Sequence, residues 1–250
     1  MSKSDMTIRI GQIVPSSNTT METEVPAMLR ARERLYPERF TFHSSRMRMK
    51  RVTPEELRTM NDEGLRCAAE LADARVDVMS TACLVAIMAQ GFGYHREVER
   101  QFARVIAESG AVSRPMTSAG ALIYGLKRLG AKKVSLLAPY VRSLTDKVVA
   151  YIENEGIEVA DRVCFEISDN LEVGKRDPML LLEDVKRLNV ANVDAVVLSA
   201  CVQMQSMPAL QAAQDQIGLP VTSTSACTVR NMLDLLGLKE PVPGYGAVLN

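Results

Sequence analysis

Two of the chain's five cysteines stand at matched places. Cys83 ends the run Val76-Asp77-Val78-Met79-Ser80-Thr81-Ala82-Cys83. Cys201 ends Val193-Asp194-Ala195-Val196-Val197-Leu198-Ser199-Ala200-Cys201. Both runs are apolar and rich in β-branched residues, the pattern of a strand buried in a parallel sheet. Each reaches its cysteine through a small-small step, Thr-Ala or Ser-Ala. Ligands of open α/β sheets bind beyond the carboxyl ends of the strands. Two thiols placed there, one from each half of the chain, suit paired acid–base or nucleophilic chemistry across one cleft. A thiol works as the thiolate, and a free cysteine has a pKa of about 8.5. Both cysteines lie where a strand turns toward a helix, whose first amides and dipole would hold an anion or stabilise a thiolate. One such cysteine alone reads as inert core filling. Two at equivalent positions read as a working pair.

The other cysteines read as core. Cys67 falls mid-helix, Cys164 within a strand, and Cys227 in the first turn of the last helix, nearest to a strand-to-helix turn. Only His43 and His95 are available for a Cys–His pair. Pro15-Ser16-Ser17-Asn18-Thr19-Thr20 is a strand-end loop of short donors and acceptors. Such residues suit helix capping and equally suit a carboxylate. Tyr140 occupies the corresponding loop of the second half. It reads either as a donor into the cleft or as a half-buried surface tyrosine. Asn170 follows Ser168-Asp169 after a strand, and a plain turn asparagine is its other reading.

Several chemistries lack their signatures. No G-x-G-x-x-G, P-loop, H-E-x-x-H or C-x-x-C occurs, so no dinucleotide, ATP or metal is expected, and no cofactor of any kind. Thirty basic and thirty acidic residues balance, which gives no field for nucleic acid. No apolar stretch approaches the roughly 20 residues of a membrane span. Met1-Ser2-Lys3-Ser4-Asp5 lacks a secretory signal, and unpaired thiols fit a reducing, cytoplasmic setting. Arg46-Met47-Arg48-Met49-Lys50-Arg51 is basic at alternate positions, as on a solvated strand face.

The elements that must position these residues alternate in type. Ile8–Val14 reads as a strand, with a helix beginning within 19–26. A strand over 40–49 follows, then a long helix to Asp73 opened by Thr53 as N-cap, Pro54 at N1 and Glu56 completing a capping box. After the Cys83 strand come a helix over 95–109 and a strand over 114–117. The order then repeats: helix 118–129 closed by Gly130, strand and Pro turn at 134–140, helix 144–155, strand 158–165, helix 178–188, the Cys201 strand, helix 208–217, and Pro220-Val221-Thr222-Ser223. This is the α/β signature of parallel sheets with crossover helices. Three landmarks recur in order: a strand-Pro turn, small-Ala-Cys, and Pro-x-Thr-Ser. They mark an internal duplication. It predicts two pseudo-symmetric Rossmann- or flavodoxin-like lobes with the site in the cleft between them. Residues 1–117 plus 224–250 form the first lobe and 118–223 the second. The last helix, over 224–236, returns to the first lobe, and 241–250 is a loosely structured tail.

Val14-Pro15-Ser16-Ser17-Asn18-Thr19-Thr20-Met21-Glu22 resembles the opening motif of the maleate cis–trans isomerases, and so do Ser80-Thr81-Ala82-Cys83 and Leu198-Ser199-Ala200-Cys201. That family belongs to the aspartate/glutamate racemase superfamily. The resemblance runs from Ile8 to about Leu236, and the Pro-Ser-Ser-Asn motif is its most specific part. It implies cofactor-independent isomerisation of maleate to fumarate, on a small dicarboxylate substrate. It implies Cys83 as nucleophile, Cys201 as second catalytic thiol, and Asn18, Tyr140 and Asn170 as holders of the substrate carboxylates. Leu84 and Val202 would offer backbone amides. A homodimer or higher homo-oligomer is expected.

The chemistry has a physical logic. Addition of the Cys83 thiolate to an olefinic carbon makes a rotatable single bond. The charge passes onto the neighbouring carboxylate, where aimed donors stabilise it. Cys201 protonates or stabilises the adjacent carbon, and expulsion of Cys83 leaves the trans product. Two other readings compete. One is an aspartate/glutamate racemase or arylmalonate-type decarboxylase of the same superfamily, which an incubation with aspartate, glutamate and maleate separates. The other is a non-catalytic small-acid binding module, which would need no thiol.

Overall fold

A computed structural model describes residues 7–49 and 54–250. The first half runs β1 (Thr7–Pro15), α1 (Met21–Arg32), β2 (Arg39–Met47), α2 (Pro54–Asp73), β3 (Val78–Thr81), α3 (Leu84–Met88), α4 (Tyr94–Glu108) and β4 (Arg114–Thr117). The second runs α5 (Ser118–Arg128), β5 (Lys133–Ala138), α6 (Arg142–Asn154), β6 (Glu158–Cys164), α7 (Asn170–Lys175), α8 (Leu181–Asp184), β7 (Ala195–Ser199), α9 (Leu210–Ile217), β8 (Val221–Ser223) and α10 (Thr224–Leu235).

Each half builds one parallel four-stranded sheet, ordered β2-β1-β3-β4 and β6-β5-β7-β8. The two orders are the same once renumbered, and they follow the flavodoxin-like pattern. The repeat extends to single bonds. Arg9 and Lys133 each donate a backbone N–H to an aspartate one strand over, Asp77 at 2.7 Å and Asp194 at 2.8 Å. Thr117 and Ser223 each cap the following helix, accepting from Gly120 and Ala226. β3 and β7 are buried along their whole length, as parallel strands covered on both faces must be.

The expected elements are present, with four differences. α3 and α7 are short helices that periodicity does not reveal, because five or six residues make too few turns for a repeat. The helix expected over 178–188 is split into α8 and flanking 3₁₀ turns at Pro178–Leu180 and Val185–Arg187. So short a segment is mostly termini, where such turns are common. The C-terminal segment has little regular structure, as expected, but it is not loose. Val242, Val248 and Leu249 are buried. Arg32 and Arg230, themselves buried, bond to Glu240 and to the Leu238 carbonyl. Thr53, Lys50 and Arg51 lie outside the described residues. In the rest of the basic run, Arg46 and Arg48 are exposed while Met47 and Met49 are buried, as a strand face requires. α10 packs on α1 and on α5. Among the described residues no helix is long and apolar enough to cross a membrane.

Candidate active site

The carboxyl ends of the two sheets face one cavity. It is small, about 10 Å³, and is lined by Asn18, Cys83, Leu84, Tyr140, Asn170, Cys201 and Val202, with Pro15, Met49, Val85 and Gln203 completing the wall. All seven residues singled out from the sequence meet here.

Cys83 stands between β3 and α3. Ala82 still donates to the Ile13 carbonyl at 2.8 Å, so the sheet ends immediately before the thiol. The backbone of Cys83 then adopts φ 112°, ψ 100°. A non-glycine residue at such a φ is strained by about 1–3 kcal/mol, and strain of this kind collects at functional turns. A cysteine where glycine would be easier carries no warning in the sequence. The turn opens α3, and the backbone N–H groups of Val85 and Ala86 donate toward the sulfur. They do not make it acidic. Burial pushes the Cys83 thiol up to about 12, the neighbouring Cys201 adds to the rise, and the two amides only offset part of it. The amides at the start of α3 stabilise the thiolate, but by less than burial disfavours it. Five residues of helix cannot outweigh removal from water.

Cys201 is finished differently. Ala200 donates to the Leu137 carbonyl at 2.9 Å, the counterpart of the Ala82 bond. No helix follows directly. The chain turns through 201–206 and enters a 3₁₀ turn at Met207–Ala209 before α9. The Ser199 hydroxyl fixes that turn by donating to the carbonyls of Cys201 and Met204, at 2.8 and 3.0 Å. Burial raises the Cys201 thiol, against the Tyr140 hydroxyl and the amides of Gln203 and Met204. Gln203 N–H lies 3.3 Å from Sγ. Tyr140, buried beside both thiols, has its own hydroxyl raised well above the ordinary range by burial and by the two sulfurs.

The asparagines are held by opposite ends. Asn18 Oδ1 accepts the N–H groups of Thr20 and Met21, both at 2.9 Å. That assignment leaves Nδ2, a donor, as the end that can serve the cavity. Helix capping and substrate binding, alternatives in the sequence, are thus compatible in one side chain. Asn170 opens α7, capped by Asp169. Its Nδ2 donates to Ser17 Oγ at 2.9 Å, bridging the two halves of the chain.

Two residues escaped the sequence reading. Gln203, two positions beyond Cys201, is 2% exposed and bonds to Ser17, Thr19 and Asn170. Glu24, on the buried face of α1, accepts the backbone N–H groups of Ser206 and Met207 at 2.5 and 2.6 Å, and burial raises its carboxyl. Glu24's signal was a polar side chain interrupting the apolar face of α1. Neither histidine lines the cavity. His43 pairs with Thr41. His95 sits against Tyr151 at 2.5 Å and is lowered to about 4, mainly by burial. Cys67 and Cys227 are buried, and Cys164 is partly exposed away from the cavity. Among the described residues no group of three or more His, Cys, Asp or Glu is placed to hold a metal ion.

Comparison with known proteins gives a consistent set. The arylmalonate decarboxylase family model matches residues 10–249. The maleate isomerase of Alcaligenes faecalis is 60% identical over 245 residues, covering 98% of this chain and 97% of that one. A cysteine-to-alanine variant of the maleate isomerase Iso from Pseudomonas putida S16, solved with maleate, superposes with a TM-score of 0.96 at 53% identity, over 97% of both chains. A cysteine-to-serine variant of the Nocardia farcinica maleate cis-trans isomerase, solved with a covalently bound succinylcysteine intermediate, gives 0.92 at 43% identity, over 97% and 98%.

Proposed function

The chain belongs to the arylmalonate decarboxylase family and stands among its maleate isomerases, and we propose that it converts maleate to fumarate without a cofactor, through a covalent adduct on Cys83. The observation that carries this reading is the meeting of one thiol from each sheet with three neutral donors in a single small cavity. The carboxylates of maleate would take hydrogen bonds from Asn18, Asn170, Tyr140 and the amides near Leu84 and Val202.

The Cys83 thiolate adds to one olefinic carbon while the Cys201 proton passes to the other, leaving the Cys201 thiolate beside the Tyr140 hydroxyl and the Gln203 and Met204 amides. The product is a succinyl thioether with a rotatable bond. Charge developing on the adjacent carboxylate is met by fixed donors, worth about 10²–10³ in rate for each well-aimed one. Rotation relieves the repulsion of the two carboxylates. Reversal of the proton transfer expels Cys83 and leaves fumarate. One forbidden rotation is divided into two easier steps.

Its free cysteines support a reducing, cytoplasmic setting, and a homodimer or higher homo-oligomer is the assembly we expect, checked by size-exclusion chromatography with light scattering. The activity is tested by incubating protein dialysed against a chelator with maleate and following fumarate by NMR. Fumarate should form at an undiminished rate. A rate lost to the chelator and restored by a divalent ion would overturn the cofactor-free mechanism.

A further inference from the structure

We propose that Gln203 is the positioning residue of this site, setting the spacing between the Cys201 thiol and the two carboxylate-binding asparagines; the proposal rests on reading the cavity as the isomerase site.

Five hydrogen bonds converge on this one residue. Its side-chain Oε1 accepts the Thr19 N–H at 2.9 Å. Its Nε2 donates to the carbonyls of Ser17 at 3.1 Å and Asn170 at 2.8 Å. Its backbone N–H reaches Cys201 Sγ at 3.3 Å, and its carbonyl accepts the Thr20 hydroxyl at 2.8 Å. The contacts are selective. Ser17 and Thr19 are the two neighbours of Asn18, Asn170 is touched directly, and so is Cys201. The amide orientation follows from its partners, since two carbonyls need a donor and an N–H needs an acceptor. An apolar side chain would fill the same volume but would take a hydrogen-bond partner from the Thr19 N–H and from the Ser17 and Asn170 carbonyls.

A second observation points the same way from outside the cavity. Gly174 lies within α7, where glycine is the poorest helix former after proline. No unusual backbone angle demands it there. What demands it is space. A Cβ at Gly174 would lie 2.5 Å from Gln203 Nε2 and 3.0 Å from its side-chain carbonyl carbon. The glycine makes room for Gln203 to lie flat between the two asparagine loops.

The reaction explains why such a tie is useful. One carboxylate must stay fixed while the other swings, and Cys201 must keep its aim at the adjacent carbon throughout. Displacing reacting groups by about 1 Å can cost about 10² in rate. Gln203 joins the anchoring loops and the thiol loop in one rigid unit, although they come from opposite halves of the chain.

The test is a coupling experiment with steady-state kinetics on maleate. Gln203→Met, similar in length but without hydrogen bonds, should lower kcat about 100-fold with a smaller change in KM. Gly174→Ala should lower kcat at least about tenfold in the wild-type background. In a Gln203→Ala background it should add nothing, because its effect passes through Gln203. Multiplicative effects of the two changes, or kcat within about threefold of wild type in Gln203→Met, would overturn the proposal. A merely structural Gln203 would lower the melting temperature and leave the kinetics of the folded enzyme unchanged. If Gln203→Met does not fold, Gly174→Ala decides alone. An inactive wild-type protein would sink the isomerase reading while leaving a separate readout. Alkylation of Cys201 by iodoacetamide, mapped by mass spectrometry, should speed up at least about fivefold in Gly174→Ala, with Cys67 unchanged. Unchanged Cys201 alkylation would count against the positioning role whatever the substrate.

Discussion

Ala82 and Ala200 each pin the last residue of a buried strand to its neighbour, at 2.8 and 2.9 Å, so Cys83 and Cys201 leave their sheets at equivalent points. Beyond those points the turns part. Cys83 takes a strained left-handed backbone and runs straight into α3, remaining partly exposed to the cavity. Cys201 is buried, in an irregular turn stitched by Ser199, and its sulfur is met by Gln203 N–H and the Tyr140 hydroxyl. Duplication accounts for where the thiols are. Under the proposed function, the different finishing suits each thiol to its role. Cys83, on a fixed turn and partly exposed, is the one to attack. Cys201, whose sulfur is met by the Tyr140 hydroxyl as well as by amides, is the one to part with a proton and bear the charge that remains.

The largest break in that comparison comes from removing each sulfur in turn. Cys83→Ser should abolish turnover and adduct formation together. Cys201→Ser should also lose at least about 10³-fold in kcat, on the scale of lost acid–base and covalent catalysis, yet still form some thioether on Cys83. Turnover assays and intact-mass measurements after an acid quench separate the two. Normal turnover in Cys201→Ser would end the two-thiol mechanism.

Tyr140→Phe probes the donor side of the difference. The hydroxyl is lost from Cys201 and from the cavity while the ring stays. We expect kcat to fall about 10–100-fold, and the adduct, heavier by one maleic acid, to accumulate. Tandem mass spectrometry should locate it on Cys83. Finding it on Cys201 would exchange the roles assigned to the two turns.

These expectations show what was legible in the chain. The paired cysteines, the alternating elements and the Pro-Ser-Ser-Asn loop are local patterns, and local patterns survive in sequence. The strained φ of Cys83 was not legible, because it depends on how β3 meets α3. Gln203 and Glu24 were not, because each has partners more than 180 positions away. The rise of both thiols was not legible either. A helix start can be guessed from residues, whereas burial at the junction of two sheets cannot.

The pH profile sharpens the comparison further. Burial raises both thiols above their ordinary range. For a thiol whose pKa is raised, the neutral form persists to higher pH, so the attacking Cys83 thiolate is a minor form near neutrality. kcat/KM should therefore still rise between about pH 7 and 9, where a free cysteine would already be ionising. It should fall on the alkaline side as Cys201 loses the proton it must donate. A flat profile across that interval would mean that Cys83 does not attack as a thiolate.

The smallest effect concerns a third cysteine at a strand-to-helix turn. Cys227 follows β8 as Cys83 follows β3, but its sulfur faces inward. It bonds to the Thr222 hydroxyl at 3.2 Å and sits against Gly125, where any Cβ would overlap it. Burial raises its thiol to about 12, with Thr222 partly opposing, yet it does not line the cavity that Cys83 and Cys201 share. Similar titration with different surroundings makes it a control for the idea that placement, not acidity, makes the working pair. Cys227→Ser swaps a weakly polar sulfur for a smaller hydroxyl in a packed interface. The expected cost is about 1–2 kcal/mol of stability, seen as a melting temperature lower by about 2–8 °C. kcat and KM of the folded enzyme should stay within about twofold of wild type. A loss of kcat comparable to that of Cys201→Ser would show that α10 communicates with the cavity, and that the two-turn comparison is incomplete.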